Sequence, residues 1–218
     1  MKYTYKNKKI EKQKIRIFPI LMMSIFFIGA FWDNNVTAQT IEIGSQTWCT
    51  KNLEVSTYRN GDAIPEVQDY HVWDTLTTGA WCYYENNSEN GITYGKLYNW
   101  FAVNDKRGLA PKGFHIPNDA EWKSLIDFLG GENAAGTKMK SSTGWENYGS
   151  GTNQSGFTGL PGGYRSTKNG RFGFEHVRNF SKWWSSEGKF CSMSYYNGNA
   201  FLDNNKKEYG LSVRCLAD

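Results

Sequence analysis

The chain has 218 residues, with 25 Lys and Arg against 21 Asp and Glu, which gives a formal net charge of +4. Seven of the basic residues and two of the acidic ones lie within the first 38, so residues 39–218 carry 18 basic and 19 acidic side chains. Because this larger part is close to neutral, the composition argues against a nucleic-acid-binding surface. Its length fits a single domain with an adequate core.

The first 38 residues have the pattern of a secretory signal peptide. A basic stretch ends at Arg16, an apolar run of about 15 residues follows, and small residues precede the expected cleavage after Ala38. The run is shorter than the ~20 residues that a helix needs to span a bilayer, although an uncleaved anchor is the alternative. The first cysteine, Cys49, lies too far along for a lipid anchor directly after the leader. We therefore expect a chain that begins at Gln39 and is secreted or held at the cell surface, not an integral membrane protein.

Turn residues divide the next part of the chain into short elements. Residues 40–48 predict a pair of strands that turns at Gly44-Ser45, and Asn60-Gly61 predicts a hairpin between two extended runs. The remaining expectations are an aromatic strand at 81–84, a polar loop at 86–91 and a short buried helix at 95–103.

The strongest helix signal covers residues 119–129. Asn118 is an N-cap residue, and Glu121 stands in the capping-box position three residues later. The buried face is expected to consist of four side chains, namely Trp122, Leu125, Phe128 and Leu129. Gly130 ends the helix, and a second, shorter helix is predicted at 133–139.

The C-terminal part reads as loops followed by strands. Residues 141–181 are rich in Gly, Ser and Asn and predict long ordered loops, and four strands are expected afterwards, at 182–186, 189–196, 199–203 and 208–216. The order of strands, helices, loops and strands predicts an α+β fold with an antiparallel sheet, two helices and long Gly-rich loops.

The four cysteines, Cys49, Cys82, Cys191 and Cys215, all follow the leader. An even count in an oxidising compartment favours disulfides over a metal site, and the spacings match no zinc signature. Three connectivities are possible. We favour Cys191 with Cys215, because both lie in strand-like stretches near the C-terminus; free buried thiols are the alternative.

Motifs along the whole chain after the leader resemble those of one protein family. They are TWCTKNL (47–53), YRNGDAIP (58–65), GAWCYY (79–84), YGKLYNW (94–100), GLAPKGFHIP (108–117), SGFTGLPGGYR (155–165), WWSS (183–186) and GLSVRC (210–215). In this order they resemble the Fibrobacter succinogenes major paralogous domain. The resemblance implies an exported bacterial protein of C-type-lectin-like fold, distantly similar to formylglycine-generating enzymes. Many members carry Cys where Ala110 stands here, so a disulfide at that position cannot be carried over.

No catalytic constellation is evident in the sequence. Chemistry of the formylglycine-generating type would need two closely spaced cysteines, and the calcium-dependent sugar-binding tripeptides of C-type lectins do not occur. The three histidines, His71, His115 and His176, lack metal-ligand spacing, and neither a nucleophile elbow nor a phosphate-binding loop is present. We therefore predict no catalytic residue, metal or cofactor, with a hydrolase or an oxidase-like relative as the alternative.

Adjacent aromatic residues supply the candidate binding residues. Trp183-Trp184 and Tyr195-Tyr196 lie in predicted strands, where neighbours point to opposite faces, so one member of each pair should face solvent. Exposed rings suit glycan or peptide recognition. The alternative is that loops cover both faces.

A second set of candidates lies in the preceding Gly-rich stretch. Tyr164 and Arg165 belong to it, and Arg165 forms a basic cluster with Lys168, Arg171 and Arg178 that could bind an anionic glycan. A solvated loop face is the alternative. Together these residues predict an exported, non-catalytic binding module for an extracellular glycan or protein, with a purely structural surface protein as a further alternative.

Overall fold

The computed structural model describes residues 39–167, 173–204 and 206–218. The predicted leader, together with Lys168 and Arg171, lies outside these ranges. The described residues form eleven strands, at β1 Thr40–Ile43, β2 Gln46–Cys49, β3 Trp81–Cys82, β4 Leu97–Tyr98, β5 Phe114–His115, β6 Gly162–Arg165, β7 Phe174–Val177, β8 Phe180–Trp184, β9 Lys189–Ser194, β10 Ala200–Asn204 and β11 Leu216–Ala217. They also form five α-helices, at α1 Tyr70–Asp74, α2 Ser88–Tyr94, α3 Trp100–Val103, α4 Asp119–Phe128 and α5 Glu132–Met139.

Three sheets organise these elements. A four-stranded sheet has the order β1-β2-β11-β5, a five-stranded sheet has the order β10-β9-β8-β6-β7, and β3 pairs with β4. All pairs are antiparallel except β6 with β8, where Gly163 pairs with Ser181. Leu216 near the C-terminus pairs with Trp48 near the start of the described chain. The α+β prediction with antiparallel sheets is confirmed, but the described residues form five helices, more than were predicted.

Strand β8 is buried on both of its faces. Trp183 packs with Trp48 and Trp122 in a core beneath α4 and α5, whereas Trp184 packs with Tyr98 and Phe190 in a second core. Both Trp183 and Trp184 have 0% exposed surface. The prediction that one of them faces solvent is therefore wrong, because helices cover one face of the sheet and other strands and loops cover the opposite face.

The helix predicted after Asn118 forms as α4. The Asn118 side chain accepts from the Glu121 N–H at 2.8 Å, and the Glu121 carboxylate accepts from the Asn118 N–H at 2.8 Å. Trp122 and Leu125 are buried as expected, but Phe128 is largely exposed and Ile126 is buried instead. The capping box could be predicted from the sequence because all its partners lie within four residues of each other.

Other boundaries differ from the predictions where contacts are long-range. The predicted loop at 86–91 contains the start of α2, and the helix predicted at 95–103 splits into β4 and α3. Asn99 causes this split, since its side chain caps α3 and also accepts from the Ala80 N–H. Strands β6 and β7 form within the predicted loop region, and 208–216 makes isolated bridges. Across 39–167, 173–204 and 206–218, no helix combines the length and apolar character needed to cross a membrane.

All four cysteines, each within the described ranges, are unpaired and buried. The favoured Cys191–Cys215 disulfide is wrong, because Cys191 lies in the core with Trp183 and Cys215 lies in the core with Trp184, on the other side of β8. Burial raises the pKa of Cys82 to about 11 and also raises those of the other three thiols. These thiols are therefore poor nucleophiles in the folded chain.

Candidate ligand-binding site

The structure separates the residues that the sequence nominated for binding. Trp183, Trp184 and Arg165 are fully buried, and Tyr164 is nearly so. Tyr195 and Tyr196 follow β9 in a turn, not in a strand. Tyr195 packs against the Trp183 core while 64% of Tyr196 is exposed, so only Tyr196 presents an open ring.

The Arg165 side chain is held in the interior by hydrogen bonds to main-chain carbonyls. Its guanidinium donates to the carbonyls of Val67 at 2.7 Å, Gln68 at 3.0 Å and Asp69 at 3.1 Å, and it lies 4.4 Å from the Trp73 ring centroid. These contacts tie β6 to the segment before α1. Arg165 therefore cannot contribute to a surface basic cluster.

Arg178, another member of the predicted basic cluster, lies on the surface. It forms an ion pair with Glu146 at 3.1 Å. Because Arg165 is buried and Arg178 is exposed and paired, the basic cluster does not assemble from these two members.

An exposed aromatic surface lies beside Tyr196. We call it the aromatic edge and define it by five residues, Tyr148, His176, Arg178, Phe180 and Tyr196. Tyr148 is fully exposed. The rings of His176 and Phe180 are 5.0 Å apart, and those of Phe180 and Tyr196 are 5.8 Å apart. The edge thus combines rings and a guanidinium, the side chains that dominate recognition surfaces.

Four backbone and side-chain contacts hold the edge together. The Glu146 N–H donates to the Arg178 carbonyl at 2.9 Å, parallel to the ion pair between these residues. The Tyr195 N–H donates to the Asn179 carbonyl at 2.8 Å. Gly149 packs so closely that an added Cβ would lie 2.3 Å from the Tyr195 carbonyl oxygen. The loop that carries Tyr148 is therefore fixed against the two turns beside it.

Backbone strain concentrates at this surface. Of the eight non-glycine residues with left-handed φ in the described part of the chain, four lie here, namely Asn147 (47°), Tyr148 (60°), His176 (63°) and Arg178 (68°). Such a conformation costs on the order of 1–3 kcal/mol per residue, and it clusters at functional sites because surrounding contacts must hold it. The Tyr148 ring, at one of these positions, is fully exposed.

The edge packs on four further side chains, Tyr164, Tyr209, Lys182 and Phe190, which we call the aromatic base. Tyr164 stacks on Tyr209 with ring centroids 6.1 Å apart, and its hydroxyl donates to Glu175 at 3.2 Å. The Lys182 ammonium lies 4.0 Å from the Tyr164 ring centroid and 4.5 Å from that of Phe190. Desolvation lowers the pKa of Lys182 to about 8, against the opposing effect of nearby carboxylates. The aromatic base contacts the edge through Tyr164, whose ring lies beside that of His176.

The comparisons with known proteins bear on family membership. The model of the Fibrobacter succinogenes major domain matches residues 41–217. The chain belongs to this family. The match covers nearly all of the described residues and confirms the resemblance drawn from the motifs. Neither curated proteins nor solved structures give a match.

The sequence did not predict most of the aromatic edge of this Fibrobacter succinogenes major domain. Tyr148 stands between Asn147 and Gly149 in a polar loop, a local signal for a turn but not for an exposed ring. His176, which the sequence marked only as lacking metal-ligand spacing, lies in β7, and its ring lies beside those of Tyr164 and Phe180. Only the folded sheet brings these residues together.

Proposed function

We propose that this chain is an exported, non-catalytic binding module whose aromatic edge contacts an extracellular glycan. The observation that carries the proposal is the fully exposed ring of Tyr148, held at a left-handed φ of 60° in a loop whose Gly149 packs against Tyr195, the chain neighbour of the exposed Tyr196. Left-handed backbone that is held by surrounding contacts clusters at functional sites, which supports a binding role for the ring.

The chemistry of the edge suits a sugar. Hexose rings have apolar C–H faces that stack on aromatic rings, and stacking that removes about 80 Å² of apolar surface contributes about 2 kcal/mol. Arg178 and His176 lie beside the rings with 60% and 45% of their side chains exposed. Arg178 pairs with Glu146 through Nε, so the N–H groups of its two terminal nitrogens are the ones proposed to meet sugar hydroxyls, and His176 Nε2 lies 3.6 Å from Glu175.

Export and fold family form the rest of the proposal. The leader pattern at 1–38 supports secretion or display at the cell surface, with cleavage before Gln39. The C-type-lectin-like fold is supported by the pairing of β2 with β11, which closes the described chain into one unit. The intact mass of the secreted protein tests the cleavage, since it should equal that of residues 39–218.

A glycan array tests the binding site. We expect Tyr148→Ala and Tyr196→Ala to weaken binding of a captured glycan at least tenfold, as loss of one stacked ring requires. Phe128→Ala is the matched control, because the Phe128 ring on α4 is as exposed as that of Tyr196 and lies outside the edge. Absence of any bound glycan, or an equal loss in the Phe128 variant, would overturn the proposal.

A further inference from the structure

A cleft elsewhere in the molecule shares no residue with the aromatic edge. It is a cleft of about 400 Å³ between the segment after β2, the end of α2 and the loop before β6. Its lining includes Lys51, Asn52, Glu54, Thr93, Thr158 and Arg214. This size lies in the range of small-ligand pockets.

Arg214 is the exceptional residue of the cleft. It is 1% exposed, and four of its five N–H groups donate to neutral oxygens. Nε and Nη2 reach Asn52 Oδ1 at 3.1 and 2.8 Å, and Nη1 reaches the carbonyls of Cys49 at 3.0 Å and Phe157 at 2.6 Å. The second N–H of Nη2 has no acceptor among the described residues.

The charge on Arg214 is not compensated within the described chain. None of the carboxylates in the described ranges forms a salt bridge with it, and its guanidinium instead lies 4.3 Å from the Phe157 ring centroid. Desolvation lowers its pKa to about 9. A buried cation without a counter-ion is costly, and an anion in the adjoining cleft would relieve that cost.

The rest of the lining indicates what kind of anion fits. Lys51 adds an exposed positive charge, and Glu54 adds one negative charge at the same cleft. The hydroxyl group of Thr93 and the side-chain amide of Gln39 supply neutral polar partners, whereas the Thr158 hydroxyl already donates to the Gly156 carbonyl and accepts from the Asn153 amide. The N–H of Nη2 that has no acceptor can donate to one carboxylate oxygen, and a hydrogen bond between charged groups is stronger than one between neutral groups.

We propose that this cleft binds the carboxylate of an acidic monosaccharide unit, with Arg214 and Lys51 as its cationic partners and the neutral polar side chains as partners of the sugar hydroxyls. The site is independent of the aromatic edge. A chain that carried both would bind glycans that contain uronic acids through two separate contacts.

Isothermal titration calorimetry of the protein with galacturonic acid and galactose tests the proposal. We expect galacturonic acid to bind at least tenfold more tightly than galactose, because only the acid supplies the anion. Equal affinities would overturn the carboxylate assignment. Heats indistinguishable from dilution for both sugars at 50 mM would overturn the site, and acetate binding as tightly as galacturonic acid would overturn the sugar assignment.

Charge reversal at the exposed rim avoids the folding cost of replacing Arg214. Lys51→Glu should weaken galacturonic acid binding at least fivefold, while Lys112→Glu, the same charge change at an exposed residue outside the cleft lining, should leave it within twofold. An unchanged affinity in Lys51→Glu would refute the role of the cleft. Tyr148→Ala should not alter this affinity, so failure of the cleft and failure of the aromatic edge give different results.

Discussion

Asn52 is the residue whose replacement tests the interior of this fold most directly. Its Oδ1 accepts from Arg214 Nε at 3.1 Å, from Arg214 Nη2 at 2.8 Å and from Trp183 Nε1 at 2.8 Å. Its Nδ2 donates to the Tyr94 carbonyl at 2.8 Å. One amide thus joins α2, β8 and the C-terminal segment. Asn52→Ala removes all four hydrogen bonds and leaves three donors and one acceptor without this partner.

The cost follows from the burial of the donors. Trp183 and Arg214 have 0% and 1% exposed surface, and a buried donor left without a partner costs about 1–3 kcal/mol, more when it is charged. Water entering the adjoining cleft satisfies part of the loss. We therefore expect Asn52→Ala to lower the free energy of unfolding by about 3–5 kcal/mol, a large share of the ~5–15 kcal/mol of a typical domain.

Urea unfolding followed by tryptophan fluorescence measures this difference, provided that the slope with urea stays constant. Asn60→Ala is the control, since Asn60 is exposed and bonds only within its own turn, and we expect a cost below about 1 kcal/mol. Asn52→Asp should cost less than Asn52→Ala, because it keeps the acceptors and gives Arg214 a carboxylate. A cost below about 1 kcal/mol for Asn52→Ala would refute the reasoning.

Three further predictions follow from other parts of the structure. Desolvation lowers the pKa of His115, but hydrogen bonds to Asp218 and Glu121 outweigh it and the net pKa is raised. The stabilisation from His115 is therefore complete below the ordinary histidine pKa near 6.5 and is lost as pH rises through the pKa of the folded state. In His115→Gln the urea midpoint should therefore vary less between pH 6 and 8 than it does in the parent protein. Gly149→Ala should cost more than about 2 kcal/mol, because its Cβ would meet the Tyr195 carbonyl; thermal unfolding measures this. All four thiols should resist Ellman's reagent in the native protein and react in urea, since burial raises their pKa values.

Each of these three predictions has a result that contradicts it. If the urea midpoint of His115→Gln varied with pH as it does in the parent protein, the two carboxylate partners would not raise the pKa of His115 in solution. A melting temperature of Gly149→Ala equal to that of the parent would show that the Tyr148 loop does not pack against Tyr195. Fewer than four reactive thiols in urea would show that a disulfide forms in the protein after all.

Local sequence patterns predicted the elements that depend on neighbouring residues. The capping box of α4 requires only Asn118 and Glu121, and the turn between β1 and β2 requires only the residues at its corner. The motifs that indicated the family are also short and contiguous. These features could be read without the fold because their energetic causes lie within a few residues of chain.

Tertiary structure alone decided which aromatic residues reach the surface. Alternation along β8 predicts one buried and one exposed tryptophan, but a strand covered on both faces buries both, and no pattern within the strand reports what covers it. Asn52 contacts Trp183 and Arg214 across 131 and 162 residues of sequence. The aromatic edge and the Arg214 cleft likewise exist only where distant loops meet, because each side chain there is held by partners that the neighbouring sequence does not contain.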